Sequence, residues 1–449
     1  MKDLIDFRKC AILLPVILFM IQDCSCVPQF TCPTREGDPL PDLPEAFSTN
    51  MRINYIKQQK SVDARQVVNT DGNRMTLELW ADKRHVKYIQ HGYQLLTIKY
   101  NSDSNPTCTV QKLHDLEHVL EEEDSGPSQI LEEFSYVQHE YKSKFFISDV
   151  SVENGVIVKK WEACTRAPKI NVSLSFTETS WKQGHTSALH KGKYLVSAEA
   201  QMNDDFMVIL INNFDPVMPS DTEFQPPENV YCEGFRAEKK PPTIKNYFNY
   251  DSELISFESS EGIAPVVTHR SVYYDFPAGI ARTDFYDALA EDQDLFSTVT
   301  AQSKSIIHDF NSGVQYELDP ISGECTIDNF KATIGPINIK ETGKSKMPGG
   351  LEFFSLNADK ISYNGQFPTR GYMANVYTAL VDVTQATTTK KYIYSWYFST
   401  GRTQVVEKDV EKNVLLRMVA SPVAVSKNKH FDFILFHRFM VTKGDMVYI

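Results

Sequence analysis

Thr97-Ile98-Lys99-Tyr100-Asn101-Ser102, running on to Thr107-Cys108-Thr109-Val110, has a counterpart in Ile307-His308-Asp309-Phe310-Asn311-Ser312, running on to Glu324-Cys325-Thr326-Ile327. Each stretch reads as strand, turn and cysteine. Farther along, Leu131-Glu132-Glu133-Phe134 is echoed by Leu351-Glu352-Phe353-Phe354. Asn154-Gly155-Val156 and Trp161-Glu162-Ala163 align without a gap on Arg370-Gly371-Tyr372 and Tyr377-Thr378-Ala379. Apolar strands follow at Phe206 to Ile211 and Phe431 to Phe436, and Val230-Tyr231-Cys232 lies opposite Val447-Tyr448-Ile449. Matches in a shared order at similar spacing are the signature of an internal duplication. The boundary falls near Cys232, where Pro216, Pro219 and Pro226-Pro227 lead into a linker and Pro241-Pro242 follow it.

Within each copy the dominant period is two. Met75, Leu77 and Leu79 alternate with polar or mixed neighbours, as do Leu96, Ile98 and Tyr100, and then Tyr392, Tyr394, Trp396 and Phe398. Polar turns such as Asn69-Thr70-Asp71-Gly72 and Asn311-Ser312-Gly313 favour antiparallel hairpins. Phe206 to Ile211 and Phe431 to Phe436 are apolar on both faces, which suits a sheet covered on each side. The best helix candidate runs from about Val110 to Glu123 and ends at Asp124-Ser125-Gly126-Pro127.

The first residues set the expected compartment. Lys2, Arg8 and Lys9 precede an apolar run from Cys10 to Ile21, followed by Cys24 and Cys26, the pattern of a signal peptide over residues 1–26. The run is short for a membrane span, and no later stretch reaches about 20 apolar residues. The modules are therefore expected at 27–232 and 233–449, on a secreted, extracellular protein. With 46 basic and 58 acidic residues the net charge is −12. Such a surface repels phosphates, which argues against nucleic acid as a partner.

The search for chemistry finds one motif. His114-Asp115-Leu116-Glu117-His118 has the H-x-x-E-H spacing that sets two histidines one helical turn apart for zinc. No third ligand can be nominated for it, and the second copy has Asp328, Asn329 and Phe330 after Cys325 instead. An exposed helix with a chance His pair is the favoured reading, and no catalytic residue, metal site or cofactor is assigned. Past the leader remain Cys32, Cys108, Cys164, Cys232 and Cys325, too few for a scaffold held mainly by bridges. Asn171-Val172-Ser173 is the glycosylation sequon.

With these residues in view, the chain resembles a family of secreted animal proteins carrying LolA-like domains, named for the bacterial periplasmic lipoprotein carrier. The landmarks are the segments ending at Cys108 and Cys325, the Gly-to-aromatic segments Gly155 to Trp161 and Gly371 to Tyr377, and Val230-Tyr231-Cys232. The family commonly has a cysteine three residues before that aromatic, where this chain has Val158 and Ala374. Cys164 lies six residues past Val158 with the same strand parity, so Cys108 and Cys164 are the disulfide candidates, with free buried thiols as the alternative.

The resemblance implies a mainly β fold of two tandem antiparallel half-barrel-like modules, each with a small helical segment. It also implies an apolar concave face that binds a lipid or other hydrophobic ligand without catalysis. Leu77, Leu79, Leu96, Ile98, Val208, Tyr394, Trp396 and Phe433 are the candidates for that face. The alternative is a structural or adhesion role with extracellular protein partners.

Overall fold

The computed structural model describes residues 40–41, 44–81, 84–101, 104–112, 146–153, 155–166, 169–178, 194–202, 205–257, 266–288, 301–329, 333–334, 337–338, 347–356, 358, 360–385, 388–400, 413–423 and 431–440. Among these residues strand is the dominant element and helix almost absent. The chain divides into two compact units, Met1–Lys99 with Gln111–Phe224, and Tyr100–Val110 with Gln225–Ile449.

The first sheet is formed by β1 (Ala46–Tyr55), β2 (Lys60–Asn69), β3 (Arg74–Ala81), β4 (Arg84–His91), β5 (Gln94–Asn101), β6 (Ser104–Lys112), β7 (Phe146–Glu153), β8 (Val156–Arg166), β9 (Lys169–Thr177), β10 (Leu195–Met202) and β11 (Asp205–Asp215). Its strand order is β6-β5-β4-β3-β2-β1-β11-β10-β9-β8-β7. The second sheet uses β12 (Tyr247–Phe257), β13 (Val266–Asp275), β14 (Ile280–Ala288), β15 (Ala301–Asp309), β16 (Val314–Leu318) and β17 (Cys325–Asn329). The two-residue strands β18 (Thr333–Ile334) and β19 (Ile337–Asn338) then pair with each other, and a single turn of helix follows, α1 (Gly350–Phe353). The sheet is completed by β20 (Ser362–Thr369), β21 (Tyr372–Gln385), β22 (Thr388–Ser399), β23 (Leu415–Pro422) and β24 (Phe431–Met440). Its order, β17-β16-β15-β14-β13-β12-β24-β23-β22-β21-β20, is the first order repeated strand for strand.

The irregularities repeat as well. Between β1 and β11 the register skips Asn212, and between β12 and β24 it skips His437. Between β7 and β8 it skips Ser148, and between β20 and β21 it skips Asn364. Between β9 and β10 it skips Val196, and between β22 and β23 it skips Leu416. A bulge places two residues against one and bends the strand, so three bulges at matching places give the two sheets the same pattern of bends. They also fix residue equivalences that sequence similarity leaves open: Phe47 corresponds to Phe248, Met51 to Ser252 and Leu174 to Trp396. Gly155 and Gly371 occupy matching hairpin turns at φ +81° each, a left-handed conformation that glycine adopts without a steric penalty.

Two sequence expectations shift here. Ile307 to Asp309 ends β15, whose counterpart by strand order is β4, so the match to Thr97–Asn101 on β5 is displaced by one hairpin. Successive hairpins reuse the same strand period and turn residues, which makes a slip of one hairpin invisible to local comparison. The expected helix from Val110 does not begin there, because Val110, Gln111 and Lys112 continue strand β6. The remainder of that candidate lies outside the described residues.

Candidate functional site

Strand alternation gives the first sheet one face on which its largest apolar cluster assembles. β1 contributes Phe47, Met51 and Ile53, β3 contributes Met75, Leu77 and Leu79, and β8 and β9 contribute Trp161, Val172, Leu174 and Phe176. Phe47 stacks on Phe214 at 5.1 Å between ring centroids, and Trp161 meets Phe176 edge-on at 5.4 Å. Thr49 and Gln66 interrupt this face, and with Phe47, Met51, Leu195 and Phe214 they line a crevice of about 10 Å³. That is room for about one water, against the roughly 300–1,000 Å³ of a small-molecule pocket.

In the second sheet the equivalent floor is more aromatic and carries a short segment of chain laid across it. Phe248 stacks on Tyr274 at 4.8 Å, and Phe353 and Phe354 of the α1 region pack on Phe248 at 5.3 and 5.2 Å. Met347, Phe353, Phe354 and Leu356 are all buried in this cluster. Three polar contacts seat the segment: Trp396 Nε1 donates to the Phe354 carbonyl at 2.8 Å, the Gly350 amide donates to Asn246 Oδ1 at 2.8 Å, and the Tyr274 hydroxyl donates to the Pro348 carbonyl. Burial pushes the Tyr274 phenol well above the ordinary tyrosine range, so it remains a donor at any working pH. Replacing Trp396, which is fully buried, by Phe leaves the Phe354 carbonyl without its indole donor. The second unit is then expected to lose about 2 kcal/mol in urea denaturation.

The opposite face of the first sheet is covered differently. A 3₁₀ turn, Asp221–Phe224, crosses it with Phe224 fully buried. Arg65 holds Glu223 through two hydrogen bonds of 2.7 and 2.8 Å, Thr76 Oγ1 donates to the Glu223 carbonyl at 2.8 Å, and Arg74 pairs with Asp221 at 2.7 Å. The hydrogen bonds from Arg65 hold the Glu223 carboxyl below its ordinary 4.5. Burial holds the nearby Lys87 ammonium below the lysine range. A depressed carboxylate pKa stabilises the fold above the ordinary value, and that stabilisation disappears as pH falls through the depressed one. Arg65→Met is therefore expected to cost about 1 kcal/mol at neutral pH, the pair being partly exposed. It should also flatten the loss of stability below about pH 4.5, which melting at stepped pH will show.

The eight residues expected on one ligand face are divided. Leu77 and Leu79 belong to the first sheet's cluster, and Tyr394 and Trp396 to the second sheet's. Leu95 packs against the first cluster, so alternation sends Leu96 and Ile98, both fully buried, to the other face of β5. Val208, beside the clustered Ile209, points away in the same manner. Phe433 pairs by backbone with Ile255 and Val419. The two phases coexist because both faces of these sheets are covered, so apolar alternation does not identify which face is which.

The cysteine pairing is corrected too. Cys108 bonds Cys232, with Cα atoms 5.0 Å apart, and so is not bonded to Cys164, which lies on β8 opposite Asn171 of β9. Cys232 is fully buried in the segment that leads toward β12, and Ser362 Oγ donates to its carbonyl at 2.7 Å. A linker cysteine was outside the reach of a strand-parity argument. Cys325 on β17 is free and exposed. Asn171 is half-buried, next to the buried Val172. His114 and His118 lie outside the described residues, among which no group of three or more His, Cys, Asp or Glu could hold a metal ion. Among the same residues no helix is long and apolar enough to cross a membrane.

Comparison with known proteins bears on this geometry. Among curated proteins none matches in sequence. Of solved structures, the Pseudomonas aeruginosa MucA/MucB complex is similar at 10% identity and TM-score 0.26, over 63% of this chain and 86% of that one. LprF from Mycobacterium bovis is similar at 12% identity and TM-score 0.25, over 44% and 89%. A LolA superfamily protein from Nitrosomonas europaea is similar at 7% identity and TM-score 0.23, over 46% and 91%. Likenesses this low say nothing of what this chain binds. The family match is more direct: residues 227–447, which hold the second sheet with its α1 segment, match the metazoan second LolA-like domain.

Proposed function

We propose that this chain is a secreted, non-catalytic binding protein for a lipid or other hydrophobic ligand, built from two half-barrel-like modules over 27–232 and 233–449. The observation that carries the reading is the aromatic floor of the second sheet, where Phe248, Tyr274 and Trp396 are covered by a ten-residue segment containing a single helical turn. A ligand chain of matching apolar character can replace the contacts that Phe353 and Phe354 make, at little cost in buried apolar area. The match to a LolA-like domain over 227–447 supports this carrier-like reading. The Cys108–Cys232 bond suits an oxidising compartment, as a secreted protein requires.

Native mass spectrometry of the secreted protein is expected to show co-purifying lipid, and the delipidated chain is expected to take up fluorescent fatty acid. Protein that is clean as isolated and takes up none would refute the reading. The alternative, a structural or adhesion role with an extracellular protein partner, draws on β17, an edge strand whose five residues are all exposed.

A further inference from the structure

Strand β9 is an inner strand of the first sheet, paired with β8 on one side and β10 on the other. Val172, Leu174 and Phe176 belong to the apolar cluster, so alternation turns Asn171, Ser173, Ser175 and Thr177 to the opposite, polar face. On that face Ser175 Oγ donates to Glu153 at 2.8 Å, as does Ser197 Oγ at 2.7 Å. Ser173 is only 6% exposed, yet among the described residues its hydroxyl has no hydrogen-bond partner. Asn171 is half-buried, and its register neighbour on β10, Gln201, is exposed.

The second sheet keeps the serine and not the asparagine. By the register that matches Leu174 with Trp396, Ser173 corresponds to Ser395 and Asn171 to Ile393. Ser395 is fully buried and its hydroxyl likewise lacks a partner among the described residues, while Ile393 is buried as an apolar side chain. A small residue is therefore what this place in the pleat accommodates, and neither sheet uses the hydroxyl. It gains a use where asparagine stands two residues before it, as in the acceptor sequence Asn171-Val172-Ser173.

We propose that Asn171 carries an N-linked glycan attached before β9 pairs with β8 and β10, and that the glycan then stands on the polar face of the first sheet. The proposal rests on the secreted reading above and adds a modification and its timing. Transfer requires one enzyme site to hold the asparagine carboxamide and the hydroxyl two residues on together. The folded sheet forbids this, because the hydroxyl is buried and β9 is paired on both sides. On the unpaired chain the Asn171 carboxamide nitrogen attacks the anomeric carbon of a lipid-linked oligosaccharide pyrophosphate. A C–N bond forms, the bond to the pyrophosphate oxygen breaks, the nitrogen gives up one proton and the lipid pyrophosphate leaves. The finished sheet accommodates the product: Arg166 and Lys169 close the β8–β9 hairpin just beyond Asn171, so the side chain stands near the end of the strands beside the exposed Gln201. The apolar cluster lies on the other face and stays uncovered by the glycan.

The test expresses the full chain in animal secretory cells and treats the secreted protein with peptide N-glycosidase F in heavy-oxygen water, which converts a glycosylated asparagine to a labelled aspartate. The label is expected at position 171. Asn171→Gln and Ser173→Ala should each remove it and Ser173→Thr should keep it, and mapping on the parent chain does not depend on how any variant folds. For timing, unglycosylated full chain is offered in its folded form to purified oligosaccharyltransferase with a lipid-linked donor. It is expected to accept at least about tenfold less glycan than a synthetic peptide spanning residues 163–180, since acceptance then waits on local opening of the sheet. Secreted protein without the label at position 171 overturns the proposal and leaves the secreted reading standing. Equal acceptance by folded chain and peptide overturns the timing. A chain that never enters the secretory pathway overturns the secreted reading and the proposal with it.

Discussion

Replacing Cys108 and Cys232 together by Ser is expected to lower stability by about 5 kcal/mol, less any strain relieved, since the bond closes a loop of 124 residues. That figure is the entropy that an open chain regains when so long a loop is released, and it exceeds the roughly 2–4 kcal/mol common for shorter ones. Local structure adds to the effect. Around Cys232 the backbone is gripped by β20: Asn364 Nδ2 donates to the Val230 carbonyl at 2.9 Å and the Tyr363 amide donates to the Phe235 carbonyl at 3.2 Å. Val230, Cys232 and Phe235 are all buried, so loosening this stretch exposes apolar surface as well as breaking bonds. Reducing agent should bring the parent down to the double variant and leave the variant unchanged. Cys164→Ser, by contrast, should leave both the bond and its reductive response intact. Recovery of Cys108 and Cys164 in one unreduced peptide pair would contradict the Cys108–Cys232 connectivity.

How much of this was legible beforehand depends on whether local residues or distant partners decide the feature. Strands were legible, because period-two alternation such as Tyr392, Tyr394, Trp396 and Phe398 is a direct imprint of the pleat. The equivalence of Gly155 with Gly371 and of Trp161 with Tyr377 was legible too, since turn and strand are contiguous and the bulges on either side coincide. The similar Asn-Ser pairs at 101 and 311 misled, because Asn101 ends β5 and Asn311 follows β15, strands that are not counterparts in the two sheets. The disulfide was out of reach: its two ends are brought together by the folding of everything between them, and cysteine spacing carries no record of that. For the apolar candidates such as Leu77 and Leu96, burial was legible and the side of the sheet was not. Apolar alternation marks burial, and in a sheet covered on both sides it marks both faces alike, so Leu77 and Leu96 look the same in sequence while facing apart. Leu351-Glu352-Phe353-Phe354 stands out in sequence as an echo, but its seat on Phe248 and Trp396 follows from long-range packing.

Gly350→Ala is expected to destabilise the second unit by about 3 kcal/mol, against the ordinary effect of such a change in a helix, a gain of about 1 kcal/mol. The reason lies in the approach of two backbones. A Cβ at residue 350 would stand 2.5 Å from the Lys245 carbonyl oxygen and 3.2 Å from that of Ile244, and neither can rotate aside as a side chain would. To admit the methyl group, α1 must retreat from the segment leading into β12, which lengthens the Gly350 amide bond to Asn246 and unseats Phe353 and Phe354 from Phe248. Gly349→Ala is the internal control. Its nearest neighbour would be Asn246 Oδ1 at 3.3 Å, the end of a flexible side chain, so a change within about 1 kcal/mol is expected. Urea denaturation of the two variants separates the explanations by sign as well as size. If helix propensity governs this turn, Gly350→Ala will be the more stable of the pair; if the close backbone approach governs it, Gly350→Ala will be the one that fails first.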